Sequence, residues 1–268
     1  MREFAYARPG SVAEAASTFA GGGEAAFIAG GHTLLPAMKS RLRMPDTLVD
    51  LGGIPGLAGI ARDGDTLTIG ALTTHATVAT DAAVAAAIPG LASVTAGIGD
   101  PQVRNRGTLG GVIANNDPAA DYPAAVLALD AVVTTSAGRH AADDYFQGMF
   151  TTALTDGEIV TGVTFKVPQA SAYAKFRHPA SRYAVVGIFV ARFAAGVRVA
   201  VTGAGPGVFR WAEAEVALSA DFSATAVSGL TLDPADLNTD IHASAEYRGH
   251  LAGVMLGQAV TAARRPHR

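Results

Sequence analysis

Apolar and polar positions fall into blocks of different period along this chain. Ser11-Val12-Ala13-Glu14 has the form of a capping box and predicts an alanine-rich helix to about Ala20. Gly21-Gly22-Gly23 ends it. The apolar run 25–29 suits a short buried strand, which Gly30-Gly31-His32-Thr33 breaks. A helical pattern over 34–41 and a strand over 47–51 follow. The first 50 residues thus read strand, helix, strand, glycine loop, helix, strand. Asp63-Gly64-Asp65 is a hairpin turn leading into a strand at 66–71.

Thr73 or Thr74 caps the next helix, and small residues continue the helical pattern through 82–95. Residues 97–121 are rich in Gly, Asn and Asp and read as one long irregular stretch, uncommon in compact domains unless functional. A helix at 123–129 and strands at 131–135 and 158–167 complete this part. Beyond Pro168 the pattern changes. Runs at 172–176, 183–192 and 197–201 read as an antiparallel meander, followed by helices at 211–218 and 244–263. This predicts a separate α+β module from about residue 170. The RRPHR end reads as a frayed basic tail.

Composition narrows the function. Of 268 residues, about a fifth are alanine, 16% are charged and none is cysteine. No disulfide framework, Cys-ligated zinc, iron–sulfur cluster or catalytic thiol can belong to this chain. A net charge of −3 gives nucleic-acid binding no electrostatic support. Residues 82–99 lack charge but are mostly Ala and Gly, too weakly hydrophobic for a spanning helix. The N-terminus lacks the apolar core of a signal peptide, so a cytoplasmic location is expected.

Two glycine segments stand out, AGGHT at 29–33 and RNRGTLGG at 104–111. Glycines let a ligand approach the backbone, consecutive amides form anion nests, and a helix N-terminus adds its dipole. Each segment alone reads first as an ordinary turn; two brought together would suit a diphosphate. Thr33 and Thr108 add hydroxyls, and His32 can hydrogen-bond a ligand. The other histidines singled out, 75, 140, 178, 242 and 250, read as structural or exposed. Asp121 either caps the following helix or accepts hydrogen bonds from a sugar or polyol. Rival motifs fail: there is no GxxxxGK[ST], no GxGxxG after a strand, no HExxH and no GxSxG.

The segments AGGHTLLPAMKSRL (29–42), TIGALTTHATV (68–78), GDPQVRNRGTLGGVIANNDPAADYPAAVLALDA (99–131) and SAEYRGHLAGVMLGQAV (244–260) resemble the FAD-binding medium subunit of molybdenum hydroxylases. That family includes aerobic carbon monoxide dehydrogenase and xanthine dehydrogenase. The resemblance spans the whole chain. It implies an α+β protein with an α/β FAD-binding domain of two subdomains (PCMH, or vanillyl-alcohol-oxidase, type), expected at 1–58 and 59–170. A C-terminal domain at 171–268 would have a three-stranded antiparallel sheet and helices.

Carried over, Ile28, Ala29, Gly30, Gly31, His32, Thr33 and Leu34, with Thr108, Leu109, Gly110, Gly111 and Val112, would hold the FAD diphosphate through backbone amides. Asp121 and Asn115 would bind ribityl or ribose hydroxyls. Ile98 and Val160 would line adenine or flavin, and Tyr183 would cover a flavin face. Lys175 or Arg177 would bond the ring carbonyl and stabilise anionic reduced flavin. Gly110→Val would then push a side chain against the diphosphate.

The resemblance also implies partners: a large subunit with the molybdenum cofactor and a small subunit with two [2Fe–2S] clusters, assembled as a dimer of heterotrimers. Peripheral contact of the complex with a membrane stays open. Electrons would pass from molybdenum through the clusters to FAD and on to an external acceptor, with no acid, base or nucleophile needed in this chain. Two departures stand out: Val112 replaces a frequent Asn, and residues 209–240 match poorly. Two rival readings remain, a standalone FAD oxidoreductase on the same fold and a partner-binding subunit that has lost FAD.

Overall fold

A computed structural model describes residues 2–21 and 23–265. Gly22 of the glycine triplet and residues 266–268 of the basic tail lie outside the described residues. The first unit contains β1 (Ala5–Ala7), α1 (Val12–Phe19), β2 (Ala25–Ile28), α2 (Leu34–Lys39) and β3 (Thr47–Asp50). Its strands form a parallel sheet in the order β1-β3-β2. Ser11 Oγ accepts from the Glu14 amide, so the capping box starts α1 as expected.

The second unit begins with the hairpin of β4 (Ile60–Asp63) and β5 (Thr66–Gly70), turned by Gly64 at φ +52°. Then come α3 (His75–Thr80), α4 (Ala82–Ala87), α5 (Pro89–Ala96), α6 (Pro101–Arg104), α7 (Leu109–Asn115) and α8 (Tyr122–Ala128). β6 (Val132–Thr135), β7 (Arg139–Ala141), α9 (Ala142–Tyr145), β8 (Phe146–Gly148), β9 (Thr151–Thr152) and β10 (Val160–Lys166) follow. The sheet runs β4-β5-β10-β6-β7, all antiparallel.

Two expectations need correcting here. The helical run over 82–95 is split at Ile88, because Pro89 cannot donate and pushes its predecessor out of the helical region, to φ −139° and ψ 74°. The stretch 97–121 is not uniformly irregular but holds α6 and α7. Asp100 Oδ1 caps the first at 2.8 Å and Thr108 Oγ1 the second at 3.2 Å. Helices this short leave no period in the sequence, only their caps.

The third unit is the meander β11 (Ala170–Arg177), β12 (Ala184–Phe193) and β13 (Gly196–Thr202), extended by the two-residue β14 (Phe209–Arg210). Helices α10 (Ala212–Ala220) and α11 (Ala245–Ala263) cover one face. The other face packs on α5 and α8, and Phe189, Ala191 and Ala200 join the core of the second unit. β12 is apolar on both sides because both are covered. Among the described residues no helix is long and apolar enough to cross a membrane.

Candidate functional site

The turn at 29–33 joins β2 to α2 and lies directly against the segment before α7. A β-carbon on Gly30 would stand 2.1 Å from the Arg106 carbonyl oxygen and 2.9 Å from Gly107 Cα. Only glycine permits that approach. Gly31 holds φ +76°. The amides of residues 30–34 have no acceptor among the described residues, whereas those of Leu35 and Ala37 bond to the Gly31 and Thr33 carbonyls. Ile28 packs into the core of the first unit, while His32 and Thr33 are exposed. Since α2 has only six residues, the donors here are the amides themselves rather than a long helix dipole.

The second glycine segment is built differently. Leu109 N–H donates to Thr73 O, Gly110 N–H to Ala71 O, Gly111 N–H to Thr108 Oγ1 and Val112 N–H to Thr108 O. Of residues 108–112, only the Thr108 amide has no acceptor among the described residues. A β-carbon on Gly110 would meet Ala71 Cβ at 2.5 Å, so a side chain there strikes the protein core. The expectation that Gly110→Val tests diphosphate contact is therefore corrected. Gly111 is exposed and faces Ala29, at 3.9 Å from its β-carbon position, which is where the two segments meet. The Val112 side chain packs onto the main core, which accounts for an apolar residue at that position.

Beneath this loop lies His75, 2% exposed, whose N–H donates to Gly107 O at 3.0 Å. Burial, with the nearby His32 and Arg104, pushes its ring down to about 4. Its Nδ1 and the Tyr122 hydroxyl are buried without partners among the described residues, the rings 5.4 Å apart. His75 is thus buried in the core and not exposed.

At the seam between the second and third units, Asp121 is buried at the start of α8. It makes no cap hydrogen bond. Its carboxylate instead takes Lys175 Nζ at 2.8 and 3.0 Å and the Tyr173 hydroxyl. The Asp121 and Lys175 side chains are 6% and 4% exposed. Burial raises the Asp121 carboxyl, opposed by the Lys175 charge and by hydrogen bonds from Lys175 and Tyr173. Gly187 makes room for Tyr173, since a β-carbon there would be 2.2 Å from its hydroxyl. Thr202 Oγ1 donates to the Pro118 and Ala120 carbonyls, tying this segment to β13.

Tyr183 precedes β12 rather than lying in it. It is 46% exposed, and Asp117 and Asp121 are near enough to raise its hydroxyl, although burial is the larger cause. Arg177 is exposed at the end of β11. Ile98 is half-buried, and its carbonyl accepts from Arg104 Nη1 at 2.9 Å. Val160 is 6% exposed within the main core and offers little open side-chain surface. Asn115 is half-buried, while the neighbouring Asn116, at φ +45°, donates to the Gly148 and Thr151 carbonyls.

The structure brings the 29–33 turn against the 106–111 segment, and Asp121 together with Lys175 and Tyr173, with Tyr183 close to Asp121. Sequence reading missed Tyr173, although it stands two residues before Lys175 on one strand and so on the same face. It also missed Arg104 and Arg182, which both donate to the Gly99 carbonyl.

Residues 2–169 match the family described as the FAD binding domain in molybdopterin dehydrogenase. The chain is 35% identical to the nicotine 6-hydroxylase medium subunit of Paenarthrobacter nicotinovorans, over 96% of each. It is 36% identical to the carbon monoxide dehydrogenase medium chain of Afipia carboxidovorans, over 97% of this chain and 96% of that one. Among solved structures, reconstituted CO dehydrogenase from Oligotropha carboxidovorans superposes with a TM-score of 0.89 at 34% identity, covering 98% of both chains. Quinoline 2-oxidoreductase from Pseudomonas putida 86 gives 0.87 at 30% identity, over 98% and 97%. The chain accordingly belongs to the FAD-binding family of molybdopterin dehydrogenases, as an oxidoreductase medium subunit of the molybdenum hydroxylase type.

Proposed function

We propose that this chain is the electron-transfer flavoprotein subunit of a molybdenum hydroxylase complex. It takes electrons from two [2Fe–2S] clusters on a small subunit, which is supplied by a large molybdenum-cofactor subunit, and hands them to an external acceptor. The complex is a dimer of heterotrimers and works in the cytoplasm. The chain divides at 1–58, 59–170 and 171–268, each part built around its own sheet. What most supports the flavin site is the set of five amides at 30–34 that have no acceptor among the described residues, in a turn whose Gly30 packs against residues 106–107. Such a donor set fits a diphosphate, whose oxygens accept only.

In this reading residues 30–34 carry most of the diphosphate contact, with the Thr108 amide and the exposed edge at Gly111 beside them. Asp121 retains acceptor capacity beyond its bonds to Lys175 and Tyr173, so it can also take a ribityl or ribose hydroxyl. Asn115 makes no side-chain bond among the described residues and adds a second polar group. Ile98 would supply apolar lining, and Tyr183 would cover a flavin face and exclude water. Lys175, paired with Asp121, and Arg177, exposed at the end of the same strand, would supply positive charge near the ring and favour its reduced anionic form. FAD, when bound, supplies reversible electron transfer; the chain supplies position, dryness and charge.

Purified chain incubated with FAD should be yellow and release about one flavin per chain on denaturation. Thr33→Glu, exposed in the turn and setting a carboxylate beside those amides, should weaken FAD binding at least about tenfold, equivalent to ~1.4 kcal/mol. Gly138→Ala, at a site with nothing within 4 Å, should not change it. A wild-type chain that stays colourless defeats the reading. Gentle purification from the native host should recover the molybdenum and iron–sulfur subunits; recovery of this chain alone counts against the complex. Substrate-driven flavin reduction by the isolated chain would favour a standalone oxidoreductase.

A further inference from the structure

A relay of hydrogen bonds, passing through the His242 backbone amide, joins the C-terminal helix to the loop that carries Tyr183. Residues 178–183 turn between β11 and β12, closed by His178 N–H to Tyr183 O at 2.8 Å and Arg182 N–H to His178 O at 2.9 Å. Arg182 sits at φ +64°, an uncommon conformation for a residue with a side chain. Within the loop, His178 Nδ1 accepts from the Ala180 amide at 3.2 Å and the Ser181 amide at 3.1 Å. A ring nitrogen that accepts carries no proton, so the hydrogen of the neutral imidazole sits on Nε2. Nε2 lies 3.2 Å from His242 Nδ1 and donates to it.

His242 is held from behind. Its N–H donates to Asp240 Oδ1 at 2.8 Å, and Asp240 Oδ2 takes Arg248 Nη2 at 2.7 Å. Arg248, 4% exposed on α11, donates through Nη1 to the Val185 carbonyl at 2.7 Å and the Gly203 carbonyl at 2.9 Å. The relay therefore starts in the buried sheet and ends on an exposed loop. The far side of that loop carries Tyr183, near Asp117 and Asp121, and Arg182, whose Nη1 reaches the Gly99 carbonyl beside Ile98.

We propose that His178 and His242 are positioning residues, and that the hydrogen bond between them holds loop 178–183 so that Tyr183 lies over the flavin. The proposal rests on the flavin reading given above. It also gives a role to the far end of the poorly matching stretch 209–240, since Asp240 anchors the relay. Among the described residues the other hydrogen bond from this loop to the body of the protein is Arg182 Nη1 to the Gly99 carbonyl at 3.5 Å. Without the bond, Tyr183 is held by its neighbours in sequence and by Arg182.

Three variants separate the bond from the turn. His242→Leu removes the acceptor. His242→Asn keeps an acceptor oxygen near the place of Nδ1. His178→Asn keeps an acceptor for the Ala180 and Ser181 amides but does not reach His242. Hydrogen exchange of the 178–184 peptide should rise about fivefold in His242→Leu and stay near wild type in His242→Asn. Fluorescence of bound FAD, quenched by an electron-rich ring stacked on it, should rise about twofold in His242→Leu and His178→Asn, with rescue in His242→Asn. FAD uptake by the wild type with unchanged exchange and fluorescence in His242→Leu overturns the relay alone. Faster exchange with unchanged fluorescence overturns the placement of Tyr183. A wild-type chain that takes up no FAD overturns the flavin reading and this role together.

Discussion

Lys175 and Asp121 owe their stability to each other. Both are nearly inaccessible, and each is a charge that the core would reject alone. Lys175→Met should therefore cost about 3–5 kcal/mol in urea denaturation, because it leaves a carboxylate buried without its counter-charge. Lys175→Met combined with Asp121→Asn should recover most of that loss; simple additivity of the two single changes would contradict the pairing. His75 gives a second residue-scale prediction. Its ring ordinarily titrates at 6.5 and is held near 4 in the fold, so the unfolded chain binds the extra proton first. Stability is fully present above pH 6.5 and falls as pH drops through 4, by ~3 kcal/mol from this group. His75→Gln should lose that part of the acid sensitivity, as read from unfolding midpoints across the pH range.

At the scale of elements, α5 is the joint between the second and third units. The Gly90 amide donates to Ser171 Oγ at 3.1 Å, and a β-carbon on Gly90 would stand 2.9 Å from both Ser171 Oγ and Phe189 Cζ. Gly90→Ala should cost about 1–3 kcal/mol of stability by overpacking, despite the better helix propensity of alanine. A gain in unfolding midpoint would show that the joint is looser than the packing indicates. The longer elements were legible in the sequence: the capping box of α1, the Asp63-Gly64-Asp65 hairpin, the meander and α11 all carry a clear period or cap. The break at Pro89 was written in the sequence but was overridden by the run of alanines around it. Helices α6 and α7 left only Asp100 and Thr108 as signs of their presence, since a turn or two of helix cannot show a stripe. In the candidate site, the glycine segments were legible because glycine is the residue that permits close approach. Which of their amides lack a protein acceptor was not, because hydrogen bonding by N–H groups is the same at every residue type except proline.

At the scale of the whole molecule, the change of pattern at Pro168 marks a boundary in sequence but not an independent unit in space. Phe189, Ala191 and Ala200 of the third sheet lie in one apolar core with Leu67, Ile113 and Val163 of the second. A chain cut after residue 169 should lose cooperative unfolding and expose that core, binding a hydrophobic dye such as ANS. Sharp unfolding of the cut chain would show that the shared core is dispensable. In the proposed flavin site, Asp121 and Lys175 come from opposite sides of this seam.

The sequence alone determined the longer elements, the glycine segments and the family, because caps, periods and motifs are local properties of neighbouring residues. It also excluded clusters and disulfides on this chain, since ligation needs a side chain that is absent. Only the tertiary structure decided which donors are free, that Gly110 faces Ala71, that Asp121 pairs with Lys175 and Tyr173 instead of capping α8, and that His242 reaches His178. Those outcomes depend on which groups from distant segments compete for the same buried space, and packing settles that competition after local preferences have been met.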